Sequence, residues 1–292
     1  MTELTIVRGK RGVGGRIADF LGKGVVNVVL IIVAVFWLVP TIGLFLSSLR
    51  SSADNSESGW WTVFTKPAQL TIDNYANLLG NSQFMGSFIN TIAITLPATA
   101  LVVIIGALAG YAFAWIQFPG RDWLLVVVIV LLAVPLQVSL IPIAKLYGSI
   151  GLFGSILGVI IFHVAYGLPF AIFLLRNFFT QVPGEMLEAA RIDGANEWRI
   201  FSRIILPLGL PAIASLAIFQ FLWTWNDMLV ALIFTNATSQ PVTVAIQSQL
   251  RQFGANIDIL SSGAFLSMII PLIVFFAFQR YFVSALLAGS TK

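Results

Sequence analysis

Six stretches of this chain, at about 25–48, 88–115, 123–143, 156–176, 208–235 and 263–283, are almost continuously apolar. Each is long enough, at about 1.5 Å of rise per helical residue, to cross a hydrocarbon layer about 30 Å thick. Unbroken apolarity points to helices, because strands of a membrane barrel alternate polar and apolar side chains over roughly ten residues. Only 10% of the 292 residues are charged and 58% are hydrophobic, whereas roughly 25% are charged in ordinary soluble domains. Too few charges remain to clothe a water-soluble globule. The sequence therefore predicts an all-α integral membrane protein with six transmembrane helices. The first run follows a basic segment holding Arg8, Lys10, Arg11, Arg16 and Lys23. It exceeds the roughly 7–15 residues of a secretion-signal core and reads as a retained span.

Orientation follows from the loops. Twelve Lys and Arg residues fall in the N-terminal tail, the second and fourth loops and the C-terminal end; four (Arg50, Lys66, Lys145, Arg251) fall on the other side. The positive-inside rule then puts both termini in the cytoplasm. The expected layout is a basic tail at 1–24, a membrane domain at 25–283 that includes a cytoplasmic loop at 177–207, and a C-terminal tail at 284–292. The net charge of +4 calls for no nucleic acid, since anionic lipid suffices as partner for the tail. The absence of cysteine excludes disulfides, thiolate metal sites and cysteine nucleophiles. His163, the sole histidine, has no acid in its own span and suggests neither a metal site nor a proton relay. No catalytic constellation is visible.

The fourth loop, RNFFTQVPGEMLEAARIDGANEWRIFSRIILP, carries the most specific local signals. Pro183 suits a first helical turn, Glu185 and Glu188 favour that end of the dipole, and Gly194 suits a left-handed stop. A second short helix is expected from Asn196, a good N-cap, through Trp198 and Phe201 towards Pro207. Two such helices would project as a knob. Met186, Leu187, Trp198 and Phe201 would be costly to leave wet, which predicts a protein partner over them.

Glu188, Ala189, Ala190, Gly194, Ile204, Leu206 and Pro207 reproduce the pattern E-A-A-x3-G-x9-I-x-L-P. Chance occurrence of seven such positions is on the order of 10⁻⁵ or less. The loop resembles the cytoplasmic signature of importer permeases of the ATP-binding-cassette class. The resemblance extends over essentially the whole chain towards the carbohydrate branch and the shorter permease of maltose-type systems. It is carried by F-I-N-T at 88–91, P-L-Q-V-S-L-I-P at 135–142, Gly-Leu-Phe at 151–153 and W-N-D at 225–227. The C-terminal Ala288 to Lys292 departs from the Gly-Ala-Val-Lys-Gly tail of many relatives. The resemblance implies a type I importer permease working with a homologous second permease, two ATPase subunits and an extracytoplasmic solute-binding protein. It implies ATPase coupling through Glu185, Leu187, Glu188, Ala189, Ala190, Asp193, Gly194, Trp198 and Pro207, with Glu188 holding the loop by charge-assisted bonds. No G-x4-G-K-[ST] occurs, so ATP and magnesium are expected on partner subunits and no cofactor on this chain.

For a substrate pathway, polar residues within apolar runs are the candidates: Asn90, Gln137, Gln220, Trp223, Thr224, Asn226 and Asp227. Asp227 is the only acid inside a predicted span, and intramembrane acids are functional candidates. Gln220, Thr224 and Asp227 would share one helical face. That stripe reads equally as hydrogen-bonding contacts for a sugar and as glue between helices. Within the importer class another solute, such as glycerol phosphate or a peptide, stays open. An ion-driven secondary transporter is the alternative outside it.

Overall fold

The computed structural model describes residues 13–253 and 257–288, with side chains over 24–248 and 257–279. Residues 1–12 and 289–292 lie outside the described part, and with them half of the expected basic tail and the end of the C-terminal tail. Among the described residues there is no β-strand beyond one isolated bridge, Arg50 to Leu70, so the all-α expectation holds.

The first long helix, α1 (Val13–Ser48), leads into a small cap of short elements: α2 (Ser52–Glu57), two 3-10 turns (Trp60–Phe64 and Pro67–Gln69) and α3 (Asp73–Gly80). This cap is organised by Arg50, whose side chain is fully buried. Its guanidinium donates to the carbonyls of Asp54 at 2.7 Å and Ser58 at 3.0 Å, and to the side-chain oxygens of Asn55, Ser58 and Thr62. Five neutral oxygens thus replace the water that a cation loses on burial. Asn74 closes the cap by donating to the carbonyls of Ser48 (2.9 Å) and Arg50 (2.8 Å). Tyr75 hydrogen bonds Ser48, and Trp60 lies where a side chain at Gly43 of α1 would stand, whereas Trp61 is exposed.

Next comes α4 (Ser82–Trp115), starting six residues before the apolar run because Asn81 caps it, accepting from the amides of Gln83 and Phe84. It packs along α7 (Ile156–Phe179) through small residues. A methyl group on Gly106 would lie 2.7 Å from the Ala171 methyl, and one on Gly110 would stand 3.1 Å from the Arg176 amide. Close backbone approach of this kind is how helices associate where lipid supplies no hydrophobic drive.

The run expected as a single third span is instead two helices, α5 (Arg121–Leu132) and α6 (Leu136–Ile150), meeting at 100°. Pro135 explains the corner: it has no N–H for the ladder and disfavours helical backbone in the residue before it.

The fifth predicted span, 208–235, needs the larger correction. Three consecutive pieces, α9 (Glu197–Ile200), a π-helical turn (Phe201–Ile205) and α10 (Leu206–Trp225), form one long apolar helix that ends at Trp225. The rest of the run is a separate short helix, α11 (Leu229–Phe234). Between it and α13 (Ile257–Ala288) lies α12 (Val242–Phe253), an element the apolar pattern did not reveal. Among the described residues, five helices are thus long and apolar enough to cross a membrane, and six if α5 and α6 together make one span. Their outward faces carry Val, Ile, Leu, Phe and Trp; Phe36 and Trp37 on α1 and Trp123 on α5 are among the most exposed residues.

Candidate functional site

Residues 180–207 form a lobe at the end of the bundle where α4 and α10 meet. The first piece, α8 (Gly184–Ile192), has Pro183 at its N-cap rather than inside its first turn. Its end is a complete Schellman closure: Gly194 N–H donates to Arg191 O at 3.0 Å and Ala195 N–H to Ala190 O at 2.9 Å, with Gly194 at φ +79°. That left-handed conformation is open to glycine at little steric cost. Asn196 then caps α9 as expected, its side-chain oxygen accepting from the Arg199 amide at 2.9 Å.

α9 does not stop at Pro207. The helix runs on because the turn just before the proline widens to π geometry, with Leu206 N–H reaching Phe201 O. A proline in a helix clashes with the carbonyl four residues back; the wider turn moves that carbonyl aside.

The lobe has an inner and an outer face. Leu187, Ile200, Phe201 and Ile205 are buried against Tyr111, Leu175 and Phe179, so two of the four apolar residues expected to await a partner are already covered by this chain. Met186 and Trp198 remain outside, at 44% and 66% exposure, together with Ile192 at 86%. Glu185, Glu188, Ala189, Asp193 and Pro207 are exposed as well. Among the described residues no hydrogen bond joins Glu188 to the loop. The acid that holds it is Glu197, which accepts from Arg191 Nε at 3.0 Å and from the Tyr111 hydroxyl at 2.5 Å. That bond to Glu197 pushes the Arg191 guanidinium above its already high range. Trp115 adds a second tie, its indole N–H donating to Phe179 O at 3.0 Å. Tyr111 lies 86 residues before Glu197, so no local pattern could reveal the pair.

The second cluster of polar groups sits at the break between α10 and α11. Gln220 and Thr224 are buried and joined by a 3.1 Å hydrogen bond. Gly167 of α7 makes room for Gln220: a methyl there would stand 2.6 Å from its Oε1. Asp227 is not inside a span but caps α11, accepting from the amides of Val230 (3.3 Å) and Ala231 (3.1 Å). Its Oδ2 is also 3.5 Å from Nε2 of the buried His163, so the histidine does have an acidic neighbour, supplied by another element. Thr91, Thr95, His163, Thr224 and Asp227 surround a void of about 10 Å³, room for about one water molecule.

The expected pathway residues therefore separate. Gln220, Thr224 and Asp227 are gathered inside this chain. Asn90 is engaged in packing, donating to the carbonyls of Thr238 (2.9 Å) and Gln240 (3.1 Å). Gln137, Trp223 and Asn226 lie exposed on the outside of the bundle.

A bundle of apolar helices, broken at two points and carrying an anchored lobe with an apolar outer face, defines an integral membrane protein. The family of binding-protein-dependent transport system inner membrane components matches residues 102–287, and the chain belongs to that family. It is 46% identical over 282 residues to the osmoprotective compounds uptake permease protein GgtD of Synechocystis sp., covering 95% of each chain. To the alpha-glucoside transport system permease protein AglG of Rhizobium meliloti it is 48% identical over 254 residues, covering 85% of this chain and 67% of the relative. Among solved structures it is similar to a chain of a bacterial ABC transporter involved in import of the acidic polysaccharide alginate. The TM-score is 0.78 at 25% identity, over 94% of this chain and 99% of the other.

Proposed function

We propose that this chain is the non-catalytic permease half of an ATP-driven importer for a neutral α-glucoside. Two relatives of similar identity are named for osmoprotective compounds and for alpha-glucosides; a neutral, hydroxyl-rich α-glucoside satisfies both descriptions. The partners are a second, homologous permease, two ATPase subunits that bind ATP and magnesium, and an extracytoplasmic solute-binding protein. Both termini and the 180–207 lobe face the cytoplasm, as the distribution of Lys and Arg indicates.

The observation that carries the coupling role is the outer face of the lobe. Ile192, Trp198 and Met186 are exposed on a turn whose geometry is fixed by Gly194 and whose base is tied to α4 through Glu197. Apolar side chains held this rigidly in water gain free energy when an ATPase groove covers them. ATP-driven closure of the ATPase pair then moves the lobes and tips the helices between inward-open and outward-open states. Glu185, Glu188, Ala189 and Asp193 ring the apolar face and orient the docking, with Leu187 shaping the lobe from within and Pro207 at its base.

In an importer made of two permeases the pathway runs between them, so residues exposed on one chain are better placed to line it than residues enclosed in its core. Gln137, Trp223 and Asn226 are therefore the pathway residues, while Gln220, Thr224 and Asp227 hold helices together and Asn90 fixes a loop. The assembled complex, purified through a tag on this chain and reconstituted with its binding protein, should take up a radiolabelled α-glucoside in a vanadate-sensitive, ATP-dependent manner. Uptake driven by a proton or sodium gradient without an ATPase would overturn the reading.

A further inference from the structure

At the end of the bundle away from the lobe, α3, the start of α4, α12 and the start of α13 enclose a cavity of about 180 Å³. We infer that this cavity is a docking subsite for one glucosyl ring at the outer mouth of the pathway; the inference rests on the substrate class proposed above. Its walls combine three kinds of chemistry. Side-chain amides come from three directions, Asn77 of α3, Gln83 of α4 and Gln240 ahead of α12. Each amide both donates and accepts, as a sugar hydroxyl does. An apolar floor is formed by Leu78, Phe84 and Ile246, which belong to a small core cluster of their own. Such a floor suits the C–H face of a pyranose.

The third element is Asp258. Its residue is buried to 7% exposure and, among the described residues, its Oδ1 has no hydrogen-bond partner. A buried carboxylate oxygen without a donor is costly, and a ligand hydroxyl supplies a donor in a charge-assisted bond. A divalent cation fits less well, since six to eight oxygens and usually several carboxylates surround calcium and Asp258 is the only carboxylate among the lining residues. The amide nitrogen of Asn74 is committed to the carbonyls of Ser48 and Arg50, and the amide oxygen of Asn81 to the cap of α4. Asn77, Gln83, Gln240 and Asp258 are the groups left to meet a solute.

The test uses the assembled importer in nanodiscs with trehalose and methyl α-glucoside as probes, read by saturation-transfer NMR and then by uptake in proteoliposomes. The wild type should transfer saturation to the glucosyl ring protons without the binding protein present. Gln240→Leu and Asn77→Leu, on the rim, and Asp258→Asn should each weaken that signal. Each lost hydrogen bond should raise the apparent KM for uptake about 2- to 10-fold while the maximal rate changes little. Should Asp258→Asn fail to assemble, the two rim variants decide. Normal α-glucoside uptake with wild-type NMR signals and KM in the variants overturns the subsite alone. Failure of the wild type to take up any α-glucoside overturns the substrate class and the subsite with it.

Discussion

Replacing Glu197 should uncouple ATP hydrolysis from transport more than it harms folding. Glu197 holds two groups: the Tyr111 hydroxyl at 2.5 Å on a residue almost wholly buried, and the exposed Arg191 at 3.0 Å. In Glu197→Ala the phenol loses its acceptor, which costs about 1–3 kcal/mol for a buried donor, and the exposed ion pair adds only about 0.2–1 kcal/mol. For a chain of this size each kcal/mol lowers the melting temperature by about 2–4 °C, so a fall of roughly 2–16 °C is expected. Glu197→Gln keeps an acceptor and should lose less. Tyr111→Phe removes the donor, so the double variant with Glu197→Ala should recover part of the loss, a coupling of about 1–2 kcal/mol. With the tie cut, the lobe can move without carrying α4, and ATP hydrolysed per solute imported should rise several-fold in proteoliposomes. Additive melting shifts together with an unchanged ATP-to-solute ratio would refute the tether.

Gly194→Val forces a β-branched residue to φ near +79°; it should cost at least about 1–2 kcal/mol and abolish uptake, while Gly194→Asn retains partial uptake. Asp227→Leu removes the cap of α11 and the neighbour of His163, and should destabilise by about 1–3 kcal/mol in thermal melts; the pair His163→Leu with Asp227→Leu should fall short of the sum of the single changes. Arg50→Met strips five donated hydrogen bonds from the cap and should make residues 51–72 sensitive to added protease, whereas a surface change such as Lys66→Met should not.

The loop was legible because its signals are local. Asn196 and Gly194 act on backbone within a few residues, and their caps stand where the sequence puts them. The spans were legible as lengths of apolar chain but not as paths. Pro135 turns an unbroken apolar run through 100°, and hydropathy has no term for direction. Asn226 and Asp227 interrupt the fifth run, and that polar pair was the available sign that the helix stops at Trp225. The inward turn of Leu187 and Phe201 and the approach of His163 to Asp227 depend on segments far apart in sequence. No spacing rule on one element could supply them.

Because the π turn lets the chain pass Pro207 without a break, Glu197 through Trp225 behaves as a single rod of 29 residues, roughly 43 Å from end to end. A rod pivoting near one end by about 10° swings the other by about 7 Å. Under the proposed coupling, small rocking at the lobe would arrive, magnified, beside Trp223 and Asn226. Such a lever would make a short stroke at one membrane face sufficient to open or shut a solute-sized gap at the other.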